Sequence, residues 1–141
     1  MLTAEDAEKG AEDAEKDRIN WLTETIIAGA IEVHRALGPG LLESSYQACL
    51  AHELRKRGYA VRCSVELPVE YDGIRIELGY RIDMLIEESV IVENKSVKAL
   101  AQVHEAQLLA YMKHSGVRLG FLINWNVPLV KDGIKRMVNK L

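Results

Sequence analysis

From Ser64 onward the apolar residues abandon the 3.6-residue spacing of a helix for strict alternation, and this switch constrains the fold more than any other feature. Val65, Leu67, Val69 and Tyr71 alternate with Ser64, Glu66 and Glu70, and Asp72-Gly73 is a strong hairpin signal. The return strand is long. Ile74, Ile76, Leu78, Tyr80, Ile82, Met84 and Ile86 occupy one face, and Arg75, Glu77, Gly79, Arg81, Asp83 and Leu85 the other. Glu87-Glu88-Ser89 then turns the chain into V-I-V-E-N-K-S-V, whose Val90, Ile91 and Val92 read as a buried strand. An antiparallel three-stranded meander follows, with neighbouring strands about 4.8 Å apart.

Helices flank this meander. Residues 18–37 carry Ile26, Ile27, Ala30, Ile31, Val33, His34 and Leu37 on one broad face, and Gly38-Pro39-Gly40 stops the helix. His34 there reads as a packing histidine. A second helix runs from about Leu41 to Arg57 and ends at Gly58, with Leu42, Tyr46, Cys49, Leu50 and Leu54 inward. A third spans about Leu100 to Ser115 and ends at Gly116. Val117 to Trp125 reads as a further strand, and Val130 to Leu141 as a basic final helix bearing Lys131, Lys135, Arg136 and Lys140. The order α-α-β-β-β-α-β-α predicts an α/β (α+β) fold with a mixed β-sheet flanked by helices.

Charge limits the partners. Residues 1–17 repeat AEDAEKG as AEDAEKD and carry net −5, against −3 for the whole chain of 141 residues, so the body is close to neutral at +2. The repeat lacks a coiled-coil seam and reads as a solvated, frayed helix or flexible tail (1–17) ahead of one domain (18–141). Such a body is no strongly basic clamp, and any nucleic-acid contact must be local. Cys49 and Cys63 have no metal-type spacing and suit a reduced, intracellular protein. The chain lacks a membrane-length apolar run and a signal-peptide pattern at its start, which predicts a cytoplasmic location and no membrane partner.

Three groups of residues can carry chemistry. Glu93 and Lys95 lie two apart on a strand, so they share a face. A carboxylate there can hold a divalent metal, and an ammonium can sit beside a phosphate or an attacking water. Asp83, on the polar face of the preceding strand, can lie across from Glu93, so that the two share a metal. Glu43 begins the second helix, where an acid is favourable in any case. His104, Gln107, Tyr111 and His114 form one stripe of the third helix, either exposed or turned toward a site.

Beyond these patterns, G-L-L-E-S-S-Y, with Gly40, Glu43 and Tyr46, resembles the signature of the GxxExxY proteins of the PD-(D/E)XK nuclease superfamily. A-I-E-V-H-R-A-L-G-P-G, L-P-V-E-Y-D-G, G-Y-R-I-D, V-H-E-A-Q-L-L-A-Y-M and N-W-N-V-P-L-V-K extend the likeness from about Ile26 to Asn139. It implies a restriction-endonuclease-like core of the RecB-like branch. It also implies Asp83 and Glu93 as Mg²⁺ ligands, Mn²⁺ substituting, with Glu43 as a third ligand or a water-orienting group. Lys95 would position the nucleophile or stabilise phosphate charge. Gln107 and Tyr111, with Tyr46 and His104, would support the site or grip the nucleic acid. Asn94 stands where such proteins usually carry an apolar residue. Its side chain needs a buried partner, and its backbone carbonyl can join the metal ligands.

The resemblance implies a Mg²⁺-dependent nuclease acting on DNA in repair, processing or defence. The alternative is a non-catalytic nucleic-acid- or protein-binding module on the same fold; a third reading is chemistry on another phosphate ester. Many compact nucleases act on two strands as pairs, so a homodimer is a further expectation, although the sequence localises no interface.

Overall fold

The structure, a computed structural model, describes residues 1–139. Helix α1 spans Ala4–Leu37 and α2 Glu43–Lys56. Strand β1 (Val61–Glu66) leads into a short hairpin, β2 (Val69–Tyr71) and β3 (Ile74–Ile76). Strands β4 (Arg81–Ile86) and β5 (Val90–Lys95), helix α3 (Gln102–Ser115) and strand β6 (Leu119–Asn124) follow. One 3₁₀ turn, Val130–Gly133, precedes β7 (Ile134–Val138). The main sheet has the order β1-β4-β5-β6-β7, and only β5 and β6 run parallel. A parallel pair needs a crossover, and α3 supplies it. This mixed sheet between helices is the restriction-endonuclease-like arrangement expected from the sequence. Among the described residues no helix is long and apolar enough to cross a membrane.

Each face of the sheet has its own core. Leu22, Ile26, Ala30 and Val33 of α1 join Leu50 and Leu54 of α2 over Met84, Ile86, Val90, Val92 and Phe121. Gly29 lets these helices close up, since a Cβ there would lie 3.3 Å from Leu54 Cδ2. On the other face Leu108, Tyr111 and Met112 of α3 pack on Ile82, Leu85, Ile91 and Leu122. Gly120 makes that contact tight, because a Cβ would meet both Leu108 and Met112 at 2.9 Å.

The structure corrects three expectations. Among the described residues the final helix is absent: after the 3₁₀ turn, Ile134–Val138 pairs antiparallel with β6. An uncovered β6 would leave a row of backbone donors and acceptors unpaired, and a charged edge strand satisfies them. Lys135 and Arg136 lie exposed on that strand, Lys135 paired with Glu105 of α3, while Lys140 lies outside the described residues. The long return strand is also two strands. Gly79 takes a φ of 76°, breaking the run after β3, and β2–β3 form a separate hairpin. Asp83 is consequently the third residue of the short strand β4. Finally, the even-numbered residues of that stretch do not all share a face, since Ile82 packs with α3 whereas Met84 and Ile86 pack under α1 and α2. The alternation breaks where Ser64, at a φ of 53°, faces Asp83 and the β1–β4 register skips a pair.

The acidic repeat forms the first part of α1. Thr3 and Asp6 cap its start reciprocally, Thr3 N–H donating to Asp6 Oδ2 (3.0 Å) and Asp6 N–H to Thr3 Oγ1 (3.1 Å). Residues 4–17 are exposed throughout.

A candidate active site where two strands part

The β4–β5 ladder runs from Ile86↔Val90 to Met84↔Val92 and stops there. The next residues in register are Asp83 and Glu93. Here side chains replace the main-chain acceptors. Asp83 N–H donates to Glu93 Oε2 at 2.7 Å, and Asn94 N–H donates to Asp83 Oδ2 at 2.9 Å. The strands separate at their ends, and the two acids close the gap that would leave backbone donors unpaired. Glu93 is 3% exposed and Asp83 half-buried.

Burial dominates their electrostatics. It pushes the Glu93 carboxyl from 4.5 up to about 8, helped by the neighbouring Asp83 charge and opposed by the Asp83 N–H and Lys95. Asp83 is also raised, first by burial and further by Glu43, while the Asn94 N–H and Lys95 pull it down. Two hard oxygen donors that repel one another in a poorly solvated place fit a divalent cation, which would neutralise both. Asp83 and Glu93 are the residues that would hold it. The Asn94 N–H points toward Asp83, and strand geometry turns its carbonyl to the same side.

Lys95 reaches across the sheet face to α3. Its Nζ donates to Gln107 Oε1 at 3.0 Å, and Gln107 Nε2 donates to Tyr111 Oη at 3.1 Å. Glutamine and tyrosine four apart on a helix thus act in series, Tyr111 holding the Gln107 amide that accepts from the ammonium. Burial, then the Glu93 charge, raises the Tyr111 hydroxyl above its ordinary value, with Asp83 adding to it, which sets this ring beside the acids.

Glu43 approaches from the other side. Its Oε1 accepts from Ser96 N–H at 3.3 Å, just beyond the end of β5. Tyr46 secures the loop before it: the hydroxyl donates to Gly38 O (2.6 Å) and accepts from Leu41 N–H (3.1 Å). Tyr46 is fully buried, so it is closed to a ligand and braces the loop between α1 and α2. His104 stands apart from the acids and accepts the Ala101 N–H at 3.0 Å, closing the start of α3. Among the described residues, no three His, Cys, Asp or Glu side chains form a ready-made metal cluster. Asp83 and Glu93 are together, whereas Glu43 is held one step away.

Sequence reasoning missed the support beneath these groups. Trp125 Nε1 donates to Asn94 Oδ1 at 2.9 Å, giving the asparagine the partner it needs. The Trp125 ring stacks on Tyr46 at 4.8 Å and 3°, and its carbonyl meets His34 Nε2 at 3.1 Å. Asn124 clamps Val97 from both sides, accepting its N–H (3.1 Å) and donating to its carbonyl (3.0 Å). The N-W-N run, polar and aromatic at the end of an apolar strand, is the signal that marks these residues.

A family model described as the PD-(D/E)XK nuclease superfamily matches residues 20–137. No curated protein and no solved structure matches the chain. Members of that superfamily are usually nucleases and typically use divalent metal ions. The match runs from the buried half of α1 to the edge strand β7 and takes in every element that carries the acids, the lysine and their supports. The chain therefore belongs to the PD-(D/E)XK nuclease superfamily.

Proposed function

We propose that this domain is a Mg²⁺-dependent nuclease that hydrolyses DNA phosphodiester bonds, with Mn²⁺ as a substitute, in DNA repair, processing or defence. The reading rests on Asp83 and Glu93 meeting at the parting of β4 and β5, where each carboxylate accepts a main-chain N–H of the facing strand, with Lys95 next on the same face as Glu93. A divalent cation bound to these acids would polarise a phosphate and lower the pKa of its water.

The chain's own groups supply the rest. Gln107 uses one of the three Lys95 ammonium donors, so the others can meet a phosphate oxygen. The half-buried ammonium adds fixed positive charge where negative charge develops. Glu43, tethered to Ser96 at the end of β5, is placed to orient a water or complete the ligand set. Asn94, fixed through Trp125, keeps its N–H on Asp83 and holds that carboxylate in one orientation.

The test compares wild-type protein with Asp83→Asn on single-stranded, duplex and branched DNA, in Mg²⁺ and in EDTA. Cleavage should require Mg²⁺ and fall at least about a hundred-fold in Asp83→Asn. Full activity in that variant would reject the site. One observation favours a non-catalytic binding module instead: Glu43 does not join the acid pair in a ready-made cluster. DNA binding without cleavage, unchanged by Asp83→Asn, would select that reading.

A further inference from the structure

Residues 67–80 leave the main sheet as an excursion between β1 and β4. The Leu67 N–H donates to the Tyr80 carbonyl at 2.8 Å and ties its base shut. Between this base and α3 lies a cleft of about 270 Å³ lined by Leu67, Val69, Tyr80, Gln107, Tyr111 and His114. We propose that this cleft receives an unpaired nucleobase of single-stranded DNA, stacked on Tyr80, and so directs the neighbouring acids to single strands. The proposal deepens the nuclease reading and rests on it.

Position is the first support. Gln107 and Tyr111 form one wall of the cleft, and Gln107, held by Tyr111, also holds Lys95, so the cleft continues directly from the proposed phosphate site. A nucleotide whose phosphate meets Lys95 has its base within reach of this wall.

Shape and chemistry are the second. The cleft lies just below the roughly 300 Å³ at which sites for drug-sized ligands begin, a scale suited to one flat ring system. Tyr80 is 46% exposed but not loose. Its backbone is pinned to Leu67, and its ring leans on Tyr111 at 6.5 Å and 57°. An aromatic face held in place yet open to solvent can stack a base of any sequence. Leu67 and Val69 supply apolar walls, while Gln107 and His114 can hydrogen-bond a base edge.

Charge is the third. Beyond residue 17 the chain carries net +2, too small an excess of cations to neutralise the many phosphates that a duplex clamp contacts. Stacking at a pinned tyrosine provides affinity that does not depend on such an excess.

The test measures binding of a short single-stranded oligodeoxynucleotide containing 2-aminopurine, and of its duplex, in EDTA. The expected result is tighter binding of the single strand with quenched fluorescence. Tyr80→Ala should weaken binding at least about ten-fold and abolish quenching, while Tyr80→Phe retains both. Ala110→Phe, on the exposed α3 surface lining the cleft, should block the base without touching the core. The cleft proposal is overturned if wild type prefers duplex, or if Tyr80→Ala and Ala110→Phe both bind within about two-fold of wild type. Cleavage in Mg²⁺ is scored in parallel. Cleavage without the Tyr80 effect rejects only the base site, and the Tyr80 effect without cleavage rejects only the nuclease reading.

Discussion

Glu93 is a carboxyl group buried against another carboxyl group, and its proton equilibrium sets the pH behaviour of the metal-free protein. Its folded pKa of about 8 lies above the ordinary 4.5, so the folded state binds the proton more tightly than the unfolded state. Its contribution to stability is thus complete below about pH 4.5 and is lost as pH rises through about 8. The full loss is on the order of a few kcal/mol. Glu93→Gln keeps an oxygen to accept the Asp83 N–H and removes the charge. It should flatten the decline in stability between pH 5 and pH 8 seen in denaturant titrations; a decline equal to wild type would assign the slope to other groups. On the proposed reading of Glu93 as a metal ligand, metal affinity should rise over the same interval, because a carboxylate must be deprotonated to bind a cation. Asp83 across from Glu93, with Lys95 beside it, was legible from strand turn and strand period; the helix period gave Gln107 and Tyr111 as one stripe, exposed or turned toward a site, and only the family resemblance grouped that stripe with Lys95. Trp125 and Asn124 were not legible, because their partners Asn94 and Val97 lie in another segment, and no local period records such a pairing.

At the scale of elements, the site depends on how closely α3 approaches the sheet. Gly120→Ala would place a Cβ 2.9 Å from Leu108 and Met112, pushing the helix and its Gln107–Tyr111 pair away. The expected cost is about 1–3 kcal/mol in chemical denaturation, with a parallel fall in cleavage rate; unchanged stability would mean that α3 can shift freely. The helices α1, α2 and α3 were legible because each ends at a glycine that stops it. The hairpin turn was equally so, since Asp72 and Gly73 both take positive φ (53° and 73°). The break at Gly79 had its signal in an isolated glycine within an alternating run. Strand β7 had none. Its basic residues suit a helix face as well as a strand edge, and pairing with β6 decides between them.

Across the whole molecule, α1 is a rod of about 51 Å whose first half stands clear of the cores. Deleting residues 1–17 changes the net charge from −3 to +2 while removing only exposed side chains. The thermal midpoint should move by less than about 4 °C, and non-specific DNA binding at low salt should tighten. A large loss of stability would show that the acidic half is part of the folding unit. The place where β4 and β5 part has a consequence for descent. Its acids double as acceptors for main-chain donors, and asparagine or glutamine offers an oxygen at the same position. On the proposed chemistry, a lineage would fall silent by a single substitution at Asp83 or Glu93 and still inherit the same sheet, so in such a fold shape would outlast activity.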